Sequence, residues 1–144
     1  MLHTPYRRVV NYYETDMMGW VHHSNYIRYF EEARVANLDE MGAGQAKLET
    51  FGIISPVTDF SCVNIKPTRF AQELIIECRL TKYNGVRICF EYEVLDATTG
   101  ELCATGKSSH CFLNTNNNHK PTALQKSVPE AHEAVLSYME KMGI

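Results

Sequence analysis

A single helix-patterned stretch, Ser24 to about Met41, stands ahead of three consecutive alternating stretches, and that order constrains the fold more than any other feature. On a helical wheel, Tyr26, Ile27, Phe30, Ala33, Leu38 and Met41 fall in one broad arc, opposite Arg28, Glu32 and Asp39. Gly42 and Gly44 end the stretch. Further on, Leu74, Ile76, Cys78 and Leu80 alternate with Glu73, Glu77, Arg79 and Thr81. Asn84-Gly85 is a strong hairpin signal, because both residues tolerate the positive φ of a type I′ turn. The return strand puts Val86, Ile88, Phe90, Tyr92 and Val94 on one face, and Thr99-Gly100 turns into a last strand over 101–113. A meander with one apolar face and a helix with a wide apolar stripe bury both surfaces when the sheet wraps the helix. Strands and helices do not alternate, which disfavours a parallel sheet. The class is α+β.

The remaining segments fit one domain over 1–144, with no repeat and no linker. Residues 6–13 read as a first strand, 14–23 as a loop and 57–65 as a second strand stopped by Pro67. Ser127 to Glu130 has the form of a capping box with Pro in the first turn, opening a terminal helix. Its inner stripe is Val128, Ala131, Val135, Tyr138 and Met142. Arg34 and Asn37 project inside the apolar arc of the long helix, so their stems should pack and their polar ends reach a carboxylate or carbonyl. Glu31 and Glu32 are expected to pair with Arg28 or Arg34 on the helix surface.

Apolar residues make up 44% of the chain, enough to fill one core, and the net charge of −3 gives no reason to expect nucleic acid or an anionic membrane as partner. No run approaches the roughly 18 apolar residues of a membrane span, and the N-terminal stretch lacks the apolar segment of a signal peptide. Five cysteines, Cys62, Cys78, Cys89, Cys103 and Cys111, are scattered singly without a CxxC. Reduced thiols and a cytoplasmic location are expected.

Chemistry gathers over Tyr12 to Arg34. A strand-like run ends in Glu14-Thr15-Asp16, Gly19 supplies a bend, and the helix opens at Ser24, a candidate cap, after His22 and His23. A carboxylate thus stands beside a helix N-terminus, whose first N–H groups lack intrahelical partners and suit a developing negative charge. A base or nucleophile next to an oxyanion site is the minimum equipment for acyl transfer. Asp16 equally fits a turn-capping role. The spacing of His22, His23, His110 and Cys111 matches no zinc pattern, so no metal is expected.

The motifs ETDMMG over Glu14 to Gly19, VHHSNY over Val21 to Tyr26 and RYFEEAR over Arg28 to Arg34 resemble those of hotdog-fold acyl-CoA thioesterases of the 4-hydroxybenzoyl-CoA thioesterase type, with weaker support from IKPTRFAQEL over Ile65 to Leu74. The resemblance implies a five-stranded antiparallel sheet around a central helix. It also implies a homodimer or homotetramer with active sites at the subunit interface. Asp16 takes the place of the catalytic carboxylate, and the His23 N–H that of the donor to the thioester carbonyl. The His23 side chain matches a histidine of one branch acting on short acyl chains, and Gly19 lets the backbone approach the substrate. Two departures touch acyl specificity: Ala71-Gln72 where Gly-Asp is frequent, and a bulky Trp20 where a small aliphatic residue is common.

An acyl-CoA or acyl-carrier-protein substrate brings phosphates, for which Lys66, Arg69, Lys82, Arg87 and Lys107 are candidates. Trp20, Tyr26, Met17 and Phe60 are candidate acyl-pocket residues. Coenzyme A is part of the substrate, and no cofactor is expected. Two other readings stand beside thioester hydrolysis: a hotdog enoyl-CoA hydratase or dehydratase, and a non-catalytic acyl-thioester binding module.

Overall fold

The turn at Asn84-Gly85 sets the register of the main sheet in the computed structural model, which describes residues 4–144. It joins β4 (Glu73–Tyr83) to β5 (Arg87–Asp96), pairing Ile76 with Val94, Cys78 with Tyr92 and Leu80 with Phe90. All six side chains are buried, so the alternation in sequence becomes one continuous apolar face. β6 (Leu102–Cys111) follows against β5, β1 (Tyr6–Val9) lines the β4 edge and β3 (Val57–Asn64) the β6 edge. The order is β1-β4-β5-β6-β3, antiparallel throughout.

Helix α1 (Ser24–Met41) lies in the curve of this sheet, and Gly42, at φ 93°, ends it in the left-handed conformation that glycine adopts freely. It buries Tyr26, Tyr29, Phe30, Ala33, Leu38 and Met41. The buried arc is rotated from the expected one: Ile27 is 38% exposed and Tyr29 fully buried, because the Tyr29 hydroxyl has a carboxylate partner inside. Phe30 stacks on Tyr92 with ring centroids 4.5 Å apart. A Cβ on Gly106, opposite Tyr92 on β6, would stand 2.3 Å from the Phe30 ring, so only glycine admits the helix at this depth. This is the expected α+β hotdog architecture with a C-terminal helix.

Arg34 and Asn37 behave as their position demands. Arg34 donates to the Tyr92 hydroxyl at 3.1 Å, and Asn37 donates to the Cys78 carbonyl at 3.2 Å. Around the sheet stand α2 (Gln45–Thr50), α3 (Leu124–Ser127) and α4 (Pro129–Met142), with Val128, Ala131, Val135 and Tyr138 buried. The capping box expected at the start of α4 does not form: Ser127 closes α3 instead, and its hydroxyl meets that of Thr122. Two strand readings run too long. The first stops at Val9 and passes into a 3-10 turn over Tyr12–Glu14, pinned where the Glu14 carboxylate accepts the Asn11 N–H at 2.8 Å. The last stops at Cys111, and Leu113–Asn114 (β7) joins a second sheet between β2 (Ile53–Ile54) and β8 (Lys120–Pro121). All five cysteines are free thiols; Cys78 and Cys103 are buried, whereas Cys62, Cys89 and Cys111 are half-buried.

Candidate active site

The segment joining β1 to α1 closes on itself. Thr15 and Val21 form an antiparallel bridge, Asp16 N–H donates to the Trp20 carbonyl at 2.8 Å, and Gly19 N–H donates to the Asp16 carbonyl at 3.0 Å. Gly19 has φ 79°, which an L side chain would strain. One carboxylate oxygen of Asp16, Oδ1, accepts the Met18 N–H at 2.9 Å. The turn-capping role is therefore real, but it uses one oxygen; Oδ2 has no hydrogen-bond partner among the described residues.

The helix that follows is capped by no side chain. Its N-cap is His23, in helical conformation, rather than Ser24; the Ser24 hydroxyl pairs with His22 Nδ1 at 2.8 Å instead. The His22 and His23 rings stack at 4.2 Å. Among the described residues the His23 N–H has no acceptor. A first-turn amide left unbonded is a donor in search of a ligand oxygen.

Asp16 and His23 line one cleft of about 350 Å³ with Met18, Trp20, Tyr26 and Lys66. Tyr26 is buried, and its hydroxyl hydrogen-bonds to Thr68 Oγ1 at 2.7 Å; burial raises its pKa, so the ring stays neutral. Thr68 also accepts the Val21 N–H on its carbonyl at 2.8 Å, tying the loop to the segment ahead of β4. Lys66 holds an ion pair with Glu101.

The structure does not bring every candidate together. Met17 points fully into solvent, and its neighbour Met18 lines the cleft. Phe60 is 54% exposed on β3 and borders a separate hollow of about 90 Å³ with Phe30 and Arg34. Arg69 lies outside the cleft lining, as do Lys82, Arg87 and Lys107. Among the described residues no three His, Cys, Asp or Glu side chains gather around a common centre, and His110 is buried far from such a role, against Ser108. A larger hollow of about 540 Å³ is lined by Glu77, Arg79, Glu91, Glu93 and Lys107 and, from the C-terminal end of α4, by Tyr138 and Met142; among the described residues no helix N-terminus lines it.

Sequence reasoning missed the part played by Glu14. It is 2% exposed, and its carboxylate accepts Arg8 Nη1 at 2.8 Å, Arg8 Nη2 at 2.6 Å and the Tyr29 hydroxyl at 3.0 Å. Glu32, expected to pair along its own helix, reaches Arg8 Nε at 2.8 Å, while Glu31 does meet Arg34 at 3.8 Å. Burial opposes the Arg8 charge, yet Glu32 and Glu14 together hold its pKa above the usual value. Burial and then Glu14 raise that of Tyr29, which stays a donor. The motif letter was visible; its burial depends on Arg8 arriving from β1, which no local pattern announces.

The chain belongs to the thioesterase-like superfamily, whose family model matches residues 10–141. The family's chemistry is thioester hydrolysis. A Bacillus subtilis (strain 168) relative, "Putative acyl-CoA thioesterase YneP", is 31% identical over 125 residues, 87% of this chain and 89% of that one. A "Putative esterase" of Aquifex aeolicus (strain VF5) is 33% identical over 87% of this chain and 94% of its own. Among solved structures, the DHNA-CoA thioesterase of Staphylococcus aureus superposes with a TM-score of 0.89 at 30% identity, covering 98% of this chain and 95% of that one.

Proposed function

We propose that this thioester hydrolase acts on an acyl-CoA, with Asp16 as nucleophile or general base and the His23 N–H as oxyanion donor. The observation that carries the reading is the cleft itself: Asp16, one of whose carboxylate oxygens has no partner among the described residues, and His23, whose N–H has no acceptor among them, line the same space. In the nucleophilic route, the carboxylate adds to the thioester carbon, the oxyanion takes the His23 N–H, and the C–S bond breaks to release CoA thiolate. Water then cleaves the mixed anhydride to acid and regenerated Asp16. In the general-base route, Asp16 takes a proton from the water that attacks. Both routes place the same demand on the amide, worth roughly 100- to 1,000-fold in rate for one donor.

Lys66, at the cleft wall, is the cation nearest to hand for a substrate phosphate or carboxyl, and Trp20 and Tyr26 give the acyl group an aromatic lining. A second copy of the chain completes the site in this reading. Its support is β3, which lies at the sheet edge and exposes Val57 (47%), Phe60 (54%) and Val63 (58%), a surface suited to pairing with another strand.

The test is free-thiol release over a panel of aliphatic and aromatic acyl-CoAs and acyl-carrier thioesters, including DHNA-CoA, the substrate named for the Staphylococcus aureus neighbour. Release of CoA from at least one member supports the reading. Water addition to an enoyl-CoA without thiol release, or tight binding with no turnover across the panel, rejects it in favour of a hydratase or a binding module.

A further inference from the structure

We infer that Asn25 is a positioning residue: its side-chain amide on the Glu14 carbonyl fixes where the Asp16 carboxylate stands relative to the first amides of α1. The inference rests on the catalytic reading of the cleft given above. Asn25 is 7% exposed, lies in the first turn of α1 and is not among the residues lining the cleft, so its polar group is directed to a partner within the protein. Its Nδ2 donates to the Glu14 carbonyl at 2.8 Å, and the same oxygen accepts the His22 N–H at 2.9 Å.

This oxygen is well anchored. Glu14 is held through its carboxylate by Arg8 from β1, by the Asn11 N–H and by Tyr29, a turn further along α1. The anchor lies two residues before Asp16 in the chain, and both of its donors flank His23. The loop carrying the acid and the helix end carrying the amide are therefore joined at one carbonyl. Releasing one donor leaves the backbone of each partly free to drift, and a misplacement of about 1 Å in such a site costs on the order of 100-fold. A carboxylate at the same place would set two acceptors face to face; once protonated, it would again donate.

The experiment pairs Asn25→Ala with Asn25→Asp and reads three quantities. In Asn25→Ala, kcat falls by about 10- to 100-fold at a temperature well below the variant's Tm, while KM stays within about threefold, because ground-state contacts are untouched. Amide hydrogen exchange at His22 speeds up in the same variant. In Asn25→Asp, burial against a carbonyl raises the carboxyl pKa, so the ratio of its kcat to wild type climbs as pH falls from about 7 to about 5. The corresponding ratio for Asn25→Ala stays flat. A generic loss of stability produces no such pH signature. Wild-type kcat in Asn25→Ala with unchanged His22 exchange overturns the inference, as does a flat ratio for Asn25→Asp, which stands in if the alanine variant does not fold. Faster His22 exchange beside a wild type that hydrolyses no thioester would overturn the catalytic reading while leaving the anchor in place.

Discussion

Arg8 and Glu14 meet end to end, Nη1 on Oε1 at 2.8 Å and Nη2 on Oε2 at 2.6 Å, beneath the loop that carries Asp16. The two partners are not equally replaceable. Removing Arg8 leaves the Glu14 carboxylate, 2% exposed, with only neutral donors, whereas removing the Glu14 charge leaves Arg8 still paired with Glu32 at 2.8 Å. Arg8→Met is expected to cost about 3–5 kcal/mol, the usual cost of stranding a buried charge. Glu14→Gln should cost less, about 1–3 kcal/mol. Urea or thermal denaturation of both variants checks the order; equal losses would mean that the Glu32 contact does not compensate.

Gly106 permits the closest approach of the helix to the sheet. In Gly106→Ala, the added methyl must displace the Phe30 ring, 2.3 Å from the ideal Cβ, or the Ser61 carbonyl oxygen, 3.0 Å away. Overpacking of this kind costs about 1–3 kcal/mol. The same change at Gly100, where nothing lies within 4 Å, lacks that clash and carries only the backbone strain of its φ of 77°. Comparing the two melting curves separates crowding from backbone preference, and Gly106→Ala is expected to lose more.

His110 makes stability fall with acid. Burial first, and then the charge of Arg34, push its imidazole down to about 4. An unfolded histidine titrates near 6.5. Between those values the unfolded chain holds a proton that the folded chain refuses, so stability is full above about pH 6.5 and declines as pH drops towards about 4, by at most about 1.4 kcal/mol per pH unit from this group. His110→Asn should flatten that decline in a series of melts across the window. An unchanged slope would assign the acid sensitivity elsewhere.

The architecture was legible because its signals are local. Alternation through Leu74 to Leu80, the Asn84-Gly85 turn and the apolar arc of α1 each specify an element within a few residues, and the sheet around the helix follows from the faces they offer. Asp16, His23, Trp20, Tyr26 and Lys66, all candidates in the sequence, line one cleft. What escaped the sequence depends on contacts made across the fold. The burial of Glu14 needs Arg8 from another element, and Met18 rather than Met17 faces the cleft because the loop bends at Asp16 and Gly19. The departure at Ala71 also gains a physical sense: it sits at φ 67°, the left-handed region in which the Gly of the more frequent Gly-Asp pair is at ease.

Asp16→Asn tests the central claim most directly, because the asparagine Oδ1 can still accept the Met18 N–H that now binds the carboxylate at 2.9 Å. The loop is thus kept while the charge is removed. Measured by thiol release on the best acyl-CoA of the panel, kcat is expected to drop at least about 100-fold with the melting temperature nearly unchanged. Turnover equal to wild type in a folded Asp16→Asn protein would contradict the account.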